Sequence, residues 1–172
     1  YRDLSQRLDG GVGLILGCCG AIADWAGDQP LLQQELEKIR AAWQQLGEPQ
    51  MITLCPSCYA AFQQADIPAV HIVTLLSELG LPMQSGQQNG VLAVHDSCTT
   101  RFDRSLQDTV RALAQQAGYT IEELPYSREK THCCGYGGLT SMVNQEVNQA
   151  TIQQCIGQSE SDYLTYCVNC RD

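Results

Sequence analysis

Two cysteine units recur along this chain in the same order, and that repetition constrains the fold more than any other feature. Gly17-Cys18-Cys19-Gly20 leads through a helical pattern to Cys55-Pro56-Ser57-Cys58, and His132-Cys133-Cys134-Gly135 leads through another to Cys167-Val168-Asn169-Cys170. The paired cysteines stand 115 residues apart (18 against 133) and the Cys-x-x-Cys units 112 apart (55 against 167). One Cys-x-x-Cys arises easily by chance; the whole arrangement in nearly constant register does not. The chain therefore reads as an internal duplication, residues 1–86 and 87–172. The boundary is expected in the polar, turn-rich stretch Pro82–Gly90.

Hydrophobic periodicity places these units on strand ends. Val12–Leu16 reads as a short buried strand, followed by a helix capped by Asp28 with Pro30 in its first turn. Leu32, Leu36, Ile39, Trp43 and Leu46 line one face of that helix, which stops at Gly47. Met51–Cys55 and Ala69–Val73 read as strands around a short helix at Tyr59–Ala65. In the second half, strand Val91–Val94 precedes a helix carrying Leu106, Val110, Leu113 and Ala117, stopped by Gly118. Strand Tyr119–Leu124, one helix over Leu139–Ile156 and strand Tyr163–Cys167 complete the pattern. Alternating strands and helices predict an α/β fold of two similar Rossmann-like units with mostly parallel sheets and a pseudo-twofold relation. Parallel strands deliver whatever follows them to one edge of the sheet, so distant cysteines are expected to converge there.

Ten cysteines in 172 residues would suggest disulfides in a secreted domain. Here two pairs are adjacent in sequence, and a vicinal disulfide strains the peptide bond between its cysteines. Metal ligation in a reducing, cytoplasmic setting fits better. The candidate ligands are Cys18, Cys19, Cys55, Cys58, Cys98, Cys133, Cys134, Cys167 and Cys170. A lone Cys-x-x-Cys is shared by zinc sites and redox pairs. Adjacent cysteines diverge along the backbone and suit two metal atoms better than one. Five thiols in the second half exceed the four that satisfy zinc or a cubane cluster, which hints at a larger or opened cluster. The flanking glycines Gly17, Gly20, Gly135, Gly137 and Gly138 let backbone N–H groups approach sulfur.

The net charge of −9 and the absence of a basic run argue against nucleic acid and anionic membrane surfaces as partners. No apolar stretch reaches the length of a membrane span. The chain opens on Tyr1 rather than Met and is expected to be a piece of a longer protein.

The pattern Cys98…Cys133-Cys134-Gly135…Cys167-x-x-Cys170 resembles the cysteine-rich CCG domain of heterodisulfide reductases. It is also similar to domains of glycolate oxidase iron–sulfur subunits and lactate-utilisation iron–sulfur proteins. The resemblance implies [4Fe-4S] clusters, non-cubane in the second half, and a flavin- or ferredoxin-type redox partner. It also implies electron transfer to a quinone-linked chain or to a small disulfide or thiol substrate. In the family pattern a further cysteine precedes the first pair by roughly 30 residues, whereas 17 residues precede Cys18. Rival readings are a zinc-stabilised interaction module and an electron relay without its own substrate.

Outside the motifs, Cys155 reads as a small buried hydrophobe. His132 is either a donor beside the cluster or a structural histidine; His95 and Asp96 either orient the cluster or cap a helix, with capping favoured for Asp96. Arg101 either neutralises an anion or is solvated; Tyr136 either covers the site or merely packs. Trp43 belongs to the core.

Overall fold

The computed structural model describes residues 1–81 and 89–171. Most of the expected boundary at Pro82–Gly90 lies outside them. Among the described residues the elements run α1 (Arg2–Arg7), α2 (Ala21–Trp25), α3 (Gln29–Gln45), β1 (Met51–Thr53), α4 (Pro56–Gln64), β2 (Ala69–His71) and α5 (Ile72–Leu79). They continue as β3 (Val91–Val94), α6 (Arg104–Gln116), β4 (Thr120–Glu123), α7 (Thr140–Val143), α8 (Gln145–Ile156) and β5 (Asp162–Leu164).

All strand pairings are parallel. β1 pairs with β2, Thr53 opposite His71. β3 lies between β4 and β5, with Val94 opposite Glu123 on one side and Leu164 on the other. The α/β architecture with small parallel sheets agrees with the sequence expectation.

Local chemistry sets the helix limits. Asp28 Oδ1 accepts the Leu31 N–H at 3.1 Å, and Gly47 leaves α3 with φ 84°, a left-handed turn that suits a residue without Cβ. Leu32, Leu36, Ile39 and Trp43 are buried on one face of α3 and pack with Phe62 and Ile67 into the first core. The Trp43 indole N–H is satisfied by the Pro49 carbonyl at 2.6 Å. Asp103 caps α6 in the same way, through the Leu106 N–H at 3.0 Å. Leu106, Val110 and Tyr166 form the second core, with Val73 and Leu164 packed against it.

Several expectations are corrected. Val12–Leu16 is not a strand: Ile15 packs on the first core while Leu14 and Leu16 are exposed. In the second half the flanking strands hydrogen-bond to the central β3; among the described residues the first half has no strand in that place, so Val12–Leu16 lacks a ladder partner. Residues beyond His71 turn into α5 rather than prolonging the strand, because the His71 imidazole caps that helix. The helix expected over Leu139–Ile156 breaks at Asn144, whose side chain accepts the Val147 N–H at 3.0 Å and starts α8 afresh.

Candidate metal centre

Cys55 follows β1 and precedes α4, while Cys167 follows β5 and precedes a short 3₁₀ turn over Val168–Cys170. Their sulfurs lie 3.9 Å apart, so the first cysteines of the two Cys-x-x-Cys units touch. Beside them Asn169 Nδ2 donates to Ser57 Oγ at 3.3 Å, joining the third residue of each Cys-x-x-Cys unit.

From this contact a run of interacting thiols extends both ways. On one side Cys55 interacts with Cys58 and Cys58 with Cys19. On the other, Cys167 interacts with Cys170, Cys170 with Cys134, Cys134 with Cys133 and Cys133 with Cys98. Cys18 stands outside the run: it is exposed and accepts the Gly20 N–H at 3.4 Å. Cys155 is buried behind it, its S–H directed at the Cys133 carbonyl at 3.3 Å. Among the described residues, no three Cys, His, Asp or Glu side chains close on one point as a single ion requires.

Proton sharing governs these thiols. Hydrogen bonding from Cys58 lowers Cys19 to about 7. Cys55 and Cys133 fall far below the thiol range, chiefly through Cys167 and Cys134 respectively. Their neighbours move up: Cys58 and Cys98 by bonding to ionised Cys19 and Cys133, and Cys170 chiefly through Cys134. Cys170 draws Cys167 down, but Cys55 and burial outweigh it and leave it raised. Ionising the whole run therefore needs positive charge from outside the thiols, which metal supplies.

The paired cysteines share one backbone device. Gly20 and Gly135 hold φ 80° and 99°, and each donates its N–H at 3.4 Å to the first cysteine of its pair. A Cβ on Gly135 would also meet Asn148 Oδ1 at 2.7 Å. Around the run, buried polar atoms are left without hydrogen-bond partners among the described residues: both nitrogens of His95, Ser97 Oγ and His71 Nε2. Burial keeps both imidazoles below their ordinary pKa, His95 near Cys133 and His71 near Cys55. Buried neutral imidazoles beside thiols of lowered pKa suit an anionic, sulfur-rich group, so the residues fit an iron–sulfur cluster.

The profile of the cysteine-rich CCG domain matches residues 15–63 and 92–171, one stretch in each half. The chain belongs to the CCG cysteine-rich domain family. It is 25% identical over 138 residues to an EtfAB:quinone oxidoreductase of Syntrophomonas wolfei subsp. wolfei, covering 75% of this chain and 19% of that protein. This CCG domain thus spans about a fifth of that relative's length. No solved structure matches it significantly. Family and relative together support an iron–sulfur redox or electron-transfer role. No helix among the described residues is long and apolar enough to cross a membrane.

Asp96 is a correction. It is not a cap but the fully buried hub of the CCG domain's second half. Its carboxylate takes Arg111 Nη1 and Nη2 at 2.9 and 2.8 Å, the Arg128 N–H at 2.7 Å and the Tyr166 hydroxyl at 3.2 Å. Its backbone carbonyl accepts from Thr131 Oγ1 at 2.6 Å. Each partner leads into a cysteine segment: Thr131 into Cys133, Tyr166 into Cys167, and Asp96 itself into Cys98. Burial alone would raise the Asp96 pKa; Arg111, the Arg128 N–H and Tyr166 outweigh it and hold the group below the usual carboxylate range. The sequence signal was available only as charge complementarity between distant positions.

The remaining residues find plain roles. Arg101 donates to the Thr131 carbonyl at 2.8 Å, tying the loop before the CCG. His132 stacks on Tyr126 at 3.9 Å between ring centroids. Tyr136 meets Trp25 edge to face at 6.5 Å, across the two halves.

Proposed function

We propose that the chain is an electron-transfer domain built of two CCG repeats, each holding an iron–sulfur cluster, in an oxidoreductase that delivers electrons toward a quinone. Cys98, Cys133, Cys134, Cys167 and Cys170 hold the second cluster, a five-thiol set that suits an opened, non-cubane [4Fe-4S] form. Cys18, Cys19, Cys55 and Cys58 serve the first. The repeat reading draws support from the contacts between equivalent residues, Cys55 with Cys167 and Ser57 with Asn169, as expected beside a pseudo-twofold axis.

The observation that carries the redox reading is the thiol run crossing from one half to the other through the 3.9 Å Cys55–Cys167 contact. Separate structural zinc sites gain nothing from touching, and like charges brought together oppose them. An electron path gains from closeness. When bound, the clusters supply one-electron steps. The chain's own residues do the rest: Gly20 and Gly135 N–H groups steady the sulfurs, buried His95 and Ser97 would supply donors to a bound cluster, and Asp96 aligns the three segments. Quinone as the acceptor class is supported by the activity for which the Syntrophomonas relative is named.

Anaerobic reconstitution with iron and sulfide tests the proposal. Iron and labile sulfide in comparable amounts, with a paramagnetic signal altered by Cys134→Ser, are expected. Zinc uptake with no labile sulfide would refute it.

A further inference from the structure

The two Cys-x-x-Cys turns meet with closely similar backbones. Cys55 enters α4 at φ −127° and ψ 131°, and Cys167 enters its 3₁₀ turn at φ −115° and ψ 126°. Both cysteines are buried, and their sulfurs lie 3.9 Å apart. That contact has little strength of its own, because a thiol is a weak donor and sulfur a weak acceptor. Once both sulfurs are ionised on metal, like charges push the turns apart. Another interaction has to hold them together.

The third residue of each turn supplies one. Asn169 Nδ2 donates to Ser57 Oγ at 3.3 Å, directly beside the two sulfurs. Ser57 is buried in the first turn of α4, one residue after Pro56, so the helix fixes its place. Asn169 is fixed by its own turn, which the Cys170 N–H closes on the Cys167 carbonyl at 3.1 Å. The Asn169 carbonyl also accepts from the Cys134 thiol at 3.7 Å. Asn169 thus reaches from the second set of thiols to the helix that carries Cys58 of the first. Neither side chain is a metal ligand by type in this setting, and the amide and hydroxyl complement one another as donor and acceptor.

We propose that Ser57 and Asn169 are positioning residues whose hydrogen bond holds the Cys55 and Cys167 sulfurs in contact and so couples the two clusters electronically. The assignment rests on the electron-transfer reading above and adds to it the pair that sets the distance between the two centres. Exchange between them needs no further reactant, since one centre is oxidised as the other is reduced. Positioning of this kind is sensitive to shifts of about 1 Å, which a lost hydrogen bond between two turns can produce. The contact of Trp25 with Tyr136 also crosses between the halves, but it joins α2 to the loop after Cys134 rather than the two turns, and it serves as a control.

The test is EPR spectroscopy of anaerobically reconstituted protein, poised so that both clusters are paramagnetic, with iron and labile sulfide counted in each sample. The wild type is expected to show a spectrum split or broadened by interaction between the two spins. Asn169→Leu, similar in volume but without the donor, and Ser57→Ala should lose that interaction at unchanged iron and sulfide content. Ser57→Thr, which keeps the hydroxyl, should retain it, as should Tyr136→Leu. No spin interaction in the wild type, an unchanged one in Asn169→Leu and Ser57→Ala, or equal loss in Tyr136→Leu would overturn the proposal. A variant that takes up less iron is judged on reduced, metal-free protein with the short thiol cross-linker dibromobimane. Mass spectrometry of its peptides should show Cys55 joined to Cys167 in the wild type and less of that product in Asn169→Leu; equal yields would overturn the proposal too. Cross-linking that depends on Asn169, in a protein that takes up no labile sulfide, would uphold the clasp between the turns and refute the electron-transfer reading instead.

Discussion

Replacing Asp96 by Asn keeps the shape of the side chain and removes its charge. In the native structure the carboxylate, 0% exposed, meets the Arg111 guanidinium, 7% exposed, through two hydrogen bonds of 2.8 and 2.9 Å. Removing one partner of such a pair costs about 3–5 kcal/mol, because the other charge stays buried without compensation. Here Arg111 keeps Glu123 at 2.5 and 2.7 Å, and Glu123 is partly solvated, which places the expected loss near the lower end, about 3 kcal/mol. The new amide would also turn N–H atoms toward existing donors, Arg111 or the Arg128 N–H. Against a typical domain stability of about 5–15 kcal/mol this is a large fraction. With a urea slope of about 2 kcal/mol/M, the midpoint should fall by about 1.5 M. The assay is urea unfolding by far-ultraviolet circular dichroism on reduced, metal-free protein, wild type against Asp96→Asn. The pH dependence has a definite sign. The folded pKa of Asp96 is depressed, so its contribution is complete above the unfolded carboxylate pKa of about 3.9 and is lost as pH falls through the lower folded value. The gap between the two proteins should therefore hold at neutral pH and close only in strong acid. A midpoint within about 0.3 M of wild type at pH 7 would refute the hub role, since the urea slope equates that to well under 1 kcal/mol.

Other outcomes follow from the same geometry. Gly135→Ala forces a Cβ onto Asn148 Oδ1 at 2.7 Å and a strained φ of 99°, so the reconstituted protein should retain less iron after desalting than wild type; equal retention would contradict the role given to that turn. His95→Phe removes two unpartnered buried nitrogens near Cys133 and should shift the midpoint potential downward in an EPR-monitored titration, because a hydrogen-bond donor favours the more negative, reduced state. An unchanged potential would leave His95 a packing residue. Cys134→Ser should lose or change the cluster signal, whereas Cys155→Ser, which can keep the bond to the Cys133 carbonyl, should retain it; loss in both would mean that Cys155 ligates too.

Much of the fold can be read in the sequence where its causes are local. Asp28 and Gly47 bound α3 through a side-chain cap and a left-handed residue, both within one turn of the positions they act on. The same holds for Gly118 after α6. Val12–Leu16 shows the limit: its residues suit a strand, but a strand exists only beside a partner, and none of the described strands pairs with it. Asn144 and His71 act as caps through rotamers that pattern alone does not distinguish from solvated or core side chains.

The candidate site divides in the same way. Cysteine spacing is enough to mark nine side chains as candidate ligands and to sort them into two equivalent groups, because ligand chemistry is carried by residue type. It took the folded chain to bring the two groups together at Cys55 and Cys167, to leave Cys18 apart from the run, and to make Asp96 a hub rather than a cap. Those outcomes depend on how two sheets and their helices pack across about 112 residues of sequence separation, and a pairing at that range leaves no periodic trace in the chain. That His71 Nε2 finds no partner among the described residues belongs to the same class, since whether a polar atom is paired is a property of the space around it.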